Sequence, residues 1–529
     1  MQDRSGLNTQ TDTADNSTSG DRRIAKNAVM LYIRMFLTMI VGLYTSRVVL
    51  AVLGVEDYGT YGVVGGIVTM IGFLNSSMSG ATSRFLTFEL GKGDKKRLAD
   101  TFSSALIIHI GIALIVLILA ETVGLWFLNN KLVIPAGRMP AAQWVYQLSI
   151  ASAMLWITQA PYNATIIAHE RMDVYAYVEI LNATLKLLIV YLLSIGNFDK
   201  LILYSVLTFF VSALIRMIYR IYCVRHFQES HIHWVWDKSI LKPMLVYSGW
   251  NLYGALCLTT RQQGTNFLIN IFFGVVFNAA SSVATTIQGV VKGFTYSSTM
   301  AFRPQIVKLY AQNNQEEMLR LMKSAMSLCI FLALLVSLPL YVEINYVMHL
   351  WLVNPPVMAV EFVRLLVVSA FFALITLIFT IGIEATGYNR QMNIYTGSVF
   401  MLTIPVMYIF FKVGCNVLYS YYCILGANIL IFLSNMIIFK HLVPKVKLME
   451  YMWMFLKTAI VIALSLLPIF YINKYYEESF LRLVINVAVI LVLLSVLSYW
   501  LILDSSSRLY IRGKVQSVLK KVGIHSRWS

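Results

Sequence analysis

The chain has 529 residues, 58% of them hydrophobic and only 13% charged, with a mean hydropathy of +0.70. That balance excludes a soluble globular domain and points to lipid as the main solvent. The formal net charge of +17 would suit a nucleic-acid binder, but the placement of the charge along the chain excludes that reading.

In chain order, residues 1–21 are rich in Ser, Thr, Asn, Asp and Gly and read as a disordered cytoplasmic tail. The first apolar run is long enough to span a bilayer and has no small-residue cleavage site after a short core, so it is expected to stay in the mature protein. From there, about fourteen runs of spanning length follow one another: 27–53, 60–83, 101–127, 144–167, 175–195, 201–225, 244–272, 276–302, 324–345, 361–384, 392–411, 418–439, 452–472 and 481–503. The expected fold class is an all-α polytopic membrane protein, because helices satisfy every backbone polar group without water.

The connections alternate in charge. Arg22, Arg23 and Lys26 precede the first run, whereas the turn after it, Gly54 to Gly59, carries only Glu56 and Asp57. Arg84, Lys92, Lys95, Lys96 and Arg97 follow the second run. The pattern continues to a tail with Arg508, Arg512, Lys514, Lys520, Lys521 and Arg527. Most of the 42 basic residues thus fall on one side, which is expected to be the cytoplasm and to hold both termini. Cys223, Cys257, Cys329, Cys415 and Cys423 lack metal-ligand or CxxC spacing, so packed thiols are expected, with no metal and no cofactor.

An internal duplication is visible. Gly54 and Gly274, Arg84 and Arg303, and the segments starting at Met172 and Met392 recur about 220 residues apart. Two copies of six helices each predict a parallel repeat, with substrate held at the repeat interface and alternating access as the mechanism. The expected organisation is a six-helix lobe over 22–226, a linker over 227–243, a second lobe over 244–440, two accessory helices over 441–503, and a basic tail over 504–529.

Charges inside apolar runs cost about 2.5–3.5 kcal/mol each at mid-membrane, so they mark function by default. In the eighth run Thr285, Gln288, Lys292, Thr295 and Thr299 form one polar stripe at helical spacing. In the seventh, Thr259-Thr-Arg-Gln-Gln263 is polar around much of the helix and precedes Gly264, which suggests a wet or bent segment. Lys292, Arg261 and Arg34, with Gln288, Thr295 and Thr285, are the expected seat for an anionic head group. The alternative for the stripe is hydrogen bonding between packed helices. Arg47 is expected to snorkel or to pair with Glu56 or Asp57. Glu179, Asn182 and Lys186 share a helix face, as either a structural seam or a path for a coupling ion, proton or sodium.

The run Ser46-Arg47-Val-Val-Leu-Ala-Val-Leu-Gly54, then Val55-Glu-Asp-Tyr-Gly59-Thr-Tyr-Gly62, then Arg84-Phe-Leu, after the basic entry at Arg22-Arg23, resembles the polysaccharide-transport branch, which includes the O-antigen flippases, of the multidrug/oligosaccharidyl-lipid/polysaccharide (MOP) exporter superfamily. The resemblance covers essentially the whole chain from Arg22. It implies two six-helix bundles with two accessory helices, sited in the bacterial inner membrane. The implied activity is movement of an undecaprenyl-pyrophosphate-linked oligosaccharide from the cytoplasmic to the periplasmic leaflet, alongside membrane lipids and polysaccharide-assembly proteins. A cation-coupled drug antiporter would be expected to place a carboxylate in the first or seventh helix, and neither has one between Ala28 and Leu53 or Met244 and Phe272. A membrane-embedded glycosyltransferase, polymerase or ligase would need catalytic groups on a sizeable outer loop, and the longest such stretches, Leu128 to Gln143 and Glu343 to Val360, carry no paired carboxylates.

Overall fold

The computed structural model describes the backbone over residues 8–503 and 508, apart from 136, 170, 194–197, 301 and 353. It describes side chains over 36–503 and 508, leaving out also 73, 76, 77, 247–251, 297, 298, 300, 304 and 389. Among the described residues the chain is helical, with no strand. Among the described residues ten segments are long and apolar enough to cross a membrane, so this is a multi-pass membrane protein.

The helices are α1 (Asn8–Ile71), α2 (Phe73–Lys92), α3 (Lys95–Leu119), α4 (Leu125–Asn130), α5 (Met139–Ala168), α6 (Met172–Leu192), α7 (Lys200–His226) and α8 (Lys238–Phe273). They continue as α9 (Val275–Met300), α10 (Arg303–Ala311), α11 (Gln315–Val342), α12 (Ile344–Trp351) and α13 (Ala359–Thr386). The last are α14 (Asn389–Lys412), α15 (Tyr419–Leu442), α16 (Leu448–Tyr475) and α17 (Phe480–Leu501). One π turn, Ala120–Gly124, joins α3 to α4. The chain divides into two compact units, Met1–Thr259 and Thr260–Ser529, with the division inside α8.

The turn expected over Gly54 to Gly59 shrinks to a single residue. Gly54 alone leaves the helical region, at φ 79°, and helix resumes at once. A left-handed glycine reorients the chain in one step, so no longer loop is needed.

The repeat extends to individual backbone angles. Gly54 and Gly274 are both left-handed, as are Gly93 and Asn313, and Gly137 and Met358. The residues after the second pair, Asp94 and Asn314, both cap the following helix, accepting from the backbone N–H of Arg97 and Glu317 respectively. Helices α3, α5, α6 and α7 then find their counterparts in α11, α13, α14 and α15 at the same spacing of about 220 residues. The copies break at different places: α9 is continuous where the equivalent stretch breaks at Gly72, between α1 and α2, and α2 is continuous where the second copy breaks between α9 and α10. Helices α16 and α17 have no counterpart.

In the first unit, Phe102, Leu106, Tyr162, Ile215 and Tyr219 belong to a core shared by α3, α5 and α7. One end of that unit is tied by Arg138, which meets Asp57 at 2.7 and 2.5 Å and Asp199 at 2.6 and 3.2 Å. Asp57, expected as a partner for Arg47, is therefore engaged by a residue 81 positions along the chain. Asp199 in turn caps α7 through the N–H groups of Leu201 and Ile202. Replacing Arg138 by alanine leaves two carboxylates facing each other and is expected to cost about 1–2 kcal/mol, read as a lowered thermal midpoint of the purified protein.

In the second unit the core includes Met322, Cys329, Ile378, Phe379 and Phe439, and it extends without a break to Val461 and Ile469 of α16 and Ile490 and Leu494 of α17. The accessory pair is thus part of that core, not an appendage on its surface.

A carboxylate-free cavity in the second unit

Helices α8 and α9 form a hairpin around Gly274, whose φ of 85° permits the reversal. Asn266 staples the two arms: its carbonyl accepts from Asn278 Nδ2 at 2.8 Å and its side-chain oxygen accepts from Ser281 Oγ at 2.9 Å. At 1.5 Å per residue, Arg261 and Lys292 lie about 20 and 27 Å along their helices from that turn, so both are well inside the hairpin, with Lys292 more than one helical turn farther from Gly274.

Both line one cavity of about 360 Å³, with Gln262, Gln263, Thr265, Asn266, Ser281, Thr285, Gln288, Gly289, Leu366, Tyr421 and Ile424. Gln262, Thr285 and Gly289 are exposed and mark its open side. No carboxylate is present in this lining, and the two cations repel each other across it. Among the described residues neither forms an ion pair, and Lys292 has no hydrogen-bond partner.

Arg261 is 7% exposed. Its guanidinium lies over the Phe400 ring at 4.3 Å, and Nη1 donates to Asn428 Oδ1 at 3.3 Å. Nε is buried without a partner. Nη2 therefore remains as the nitrogen with neither a protein partner nor full burial. Gln288 Nε2 donates to the carbonyl of Leu366 at 3.2 Å, which fixes its side chain against α13.

Of the expected seat, the structure brings together Arg261, Lys292, Gln288 and Thr285 and separates the rest. Thr295 is fully buried and does not line the cavity; its hydroxyl bonds back to Val291 O at 3.4 Å, and Thr299 does the same to Thr295 O at 3.0 Å. The stripe on α9 is thus two features in sequence, one that lines the cavity and one that is buried; exposed Thr285 bonds back to Ser281 O as the buried threonines bond to their own preceding turn, so burial alone separates the two. Arg34 lies outside the residues whose side chains are described. In the first unit Glu179 accepts from the Tyr219 hydroxyl at 3.5 Å, while Lys186 is exposed and forms no ion pair with it. Asn182 is half-buried.

α8 runs through Gly264 as continuous helix. The role of this glycine is close approach: a Cβ there would stand 2.8 Å from Ile404 Cδ1 of α14. One helical turn away on each side, the same approach brings Phe400 against Arg261. Gly264→Leu is expected to separate the two helices and lower the thermal midpoint, by overpacking that costs about 1–3 kcal/mol.

The repeat supplies an internal control. The first-copy equivalents of Arg261, Lys292, Gln288, Thr285 and Tyr421 are Val41, Gly72, Val68, Gly65 and Leu201. A polar seam needed only for packing would be expected in both copies; here the charge and the carboxamide occur in one. The sequence shows the cations and the stripe on α9, but gives no sign that Asn428 and Phe400, distant in the chain, meet Arg261.

Among the described residues no cluster of His, Cys, Asp and Glu is arranged to hold a metal ion. No family profile matches the sequence, and no curated protein matches it either. Solved structures do. The chain is similar to the lipid II flippase MurJ in an inward closed conformation, with TM-score 0.69 and 11% identity over 89% of this chain and 98% of that one. It is similar to a MATE family multidrug resistance transporter in an inward-facing conformation, with TM-score 0.63 and 14% identity over 80% of this chain and all of the other. It is also similar to a MOP superfamily transporter from Pyrococcus furiosus, with TM-score 0.55 and 15% identity over 79% and 96%. The chain thus shares the all-helical fold of MOP superfamily transporters and flippases.

Proposed function

We propose that the protein is a flippase that moves an undecaprenyl-pyrophosphate-linked oligosaccharide from the cytoplasmic to the periplasmic leaflet of the bacterial inner membrane, by alternating access, for surface polysaccharide or O-antigen assembly. The observation that carries this reading is the cavity with two unpaired cations and no acidic residue in its lining. Held within a helical hairpin with no acidic residue in its lining, such a site is incomplete without an anion. A diphosphate offers two charges and several acceptor oxygens, matching an ammonium and the free Nη2 of a guanidinium.

Volume narrows the assignment. Sites for small molecules run from about 300 to 1,000 Å³, so a cavity of about 360 Å³ takes a head group and leaves the glycan and the lipid outside it. Sugar identity is accordingly not written in this cavity. The similarity to a lipid II flippase supports the choice of a lipid-linked substrate. The similarity to a multidrug transporter keeps a drug antiporter as the rival, but a cationic drug or coupling cation would meet two positive charges here.

Orientation with both termini in the cytoplasm follows from the distribution of basic residues. Glu179, Asn182 and Lys186 stay as the proposed polar seam of the first unit, and proton or sodium as the proposed coupling ion. The test is a deletion strain. It should accumulate the lipid-linked oligosaccharide on the cytoplasmic leaflet and show unchanged drug accumulation in an efflux-deficient background; altered drug accumulation with normal surface glycan would favour the antiporter.

A further inference from the structure

We infer that Asn428 is a positioning residue for Arg261, with Phe400 as its platform, and that together they present one edge of the guanidinium to the anion. The inference rests on the anion-seat reading above and adds how the seat is aimed. Asn428 is 6% exposed on α15. Its Nδ2 donates to Ser369 Oγ at 2.6 Å and approaches Ser369 O at 3.4 Å, both on α13. With its amide hydrogens turned to Ser369, the other atom of the carboxamide, Oδ1, is the one that faces Arg261.

Three restraints therefore act on one side chain. Oδ1 holds Nη1, the ring of Phe400 covers one face at 4.3 Å, and the packing of Ile404 against Gly264 keeps α14 close enough for that ring to reach. A free arginine side chain has about 2 kcal/mol of rotamer entropy to lose on binding an anion, and a fixed one has already lost it. The choice of a carboxamide has its own logic. An aspartate at 428 would place a carboxylate oxygen at the same 3.3 Å from Nη1 and neutralise the cation; asparagine holds the guanidinium without discharging it. The first copy has Thr208 and Ile180 at the equivalents of Asn428 and Phe400, so the restraints are absent where the arginine is absent.

The experiment measures inorganic pyrophosphate binding to the purified full chain by calorimetry, alongside thermal unfolding, for Asn428→Asp, Phe400→Leu and Arg261→Ala. Asn428→Asp is expected to lose at least 30-fold in affinity while its thermal midpoint stays level or rises, because the new ion pair satisfies a buried charge. Phe400→Leu keeps the apolar volume and removes the ring face, and is expected to lose about 3–10-fold. A purely structural Asn428 would give the opposite pairing, with lowered stability and unchanged affinity. Should Arg261→Ala bind weakly while both Asn428→Asp and Phe400→Leu bind as the wild type does, the positioning role is overturned and the anion seat survives. If Arg261→Ala also binds as the wild type does, both fall.

Discussion

Lys292→Met is expected to abolish transport and, at the same time, to make the protein more stable. Lysine at this position lies deep in a helical hairpin, half-buried, facing a second cation, and without an ion pair or hydrogen bond among the described residues. A charged side chain held without a partner is costly, with about 2.5–3.5 kcal/mol at the centre of a membrane helix as the upper bound here. Methionine has a similar length and no charge to desolvate, so part of that cost is recovered on substitution, and a rise of roughly 1–3 °C in the thermal midpoint follows. The loss of function has the same origin. On the proposed reading the charge of Lys292 is satisfied only when an anion is bound, and without it the expected loss of transport is at least 100-fold, about 2.7 kcal/mol at 25 °C. Surface glycan display and membrane abundance, measured in one strain, check both halves; normal display with wild-type abundance sinks the idea that Lys292 meets substrate.

The second large effect is structural. Glu343, between α11 and α12, has a fully buried side chain. One carboxylate oxygen accepts from Arg482 Nη2 at 3.1 Å and the other accepts from Asn486 Nδ2, both on α17. Asn486 also donates to Asn473 of α16 at 2.7 Å, and Arg482 donates through Nη1 to Tyr476 O at 3.3 Å. The turn between the accessory helices is thus bound to the core of the second unit by a buried charge pair. Arg482→Ala leaves the carboxylate buried and unpaired, and is expected to cost about 3–5 kcal/mol. The predicted readout is low membrane abundance and early proteolysis between α15 and α16. The double replacement Glu343→Leu with Arg482→Met is expected to recover most of the loss, since removing both charges also removes the desolvation each one pays. A double variant as unstable as the single one would show that the network does more than neutralise Glu343.

These two sites differ in how far the sequence reveals them. Helices are legible because a bilayer leaves few alternatives to them, and the repeat is legible because Gly54 and Gly274 must be glycines where the chain turns at positive φ. Lys292 and Arg261 stand out as charges in apolar runs. By contrast, Glu343 and Arg482 fall at the edges of two expected runs, and 139 positions separate them; only packing joins them. Asn428 is equally silent, 167 positions from the arginine it holds. Thr295 misleads for a physical reason. Helical periodicity places it on the face of Lys292, but periodicity does not say which neighbour covers each turn of that face.

The most direct measurement is the rate at which purified protein in liposomes transfers an undecaprenyl-pyrophosphate-linked oligosaccharide from one leaflet to the other, followed by its accessibility to an externally added glycosidase. Transfer is expected from the wild-type protein and its loss from the double variant Arg261→Gln with Lys292→Met, with both proteins folded and equally incorporated. Equal rates from the two would contradict it.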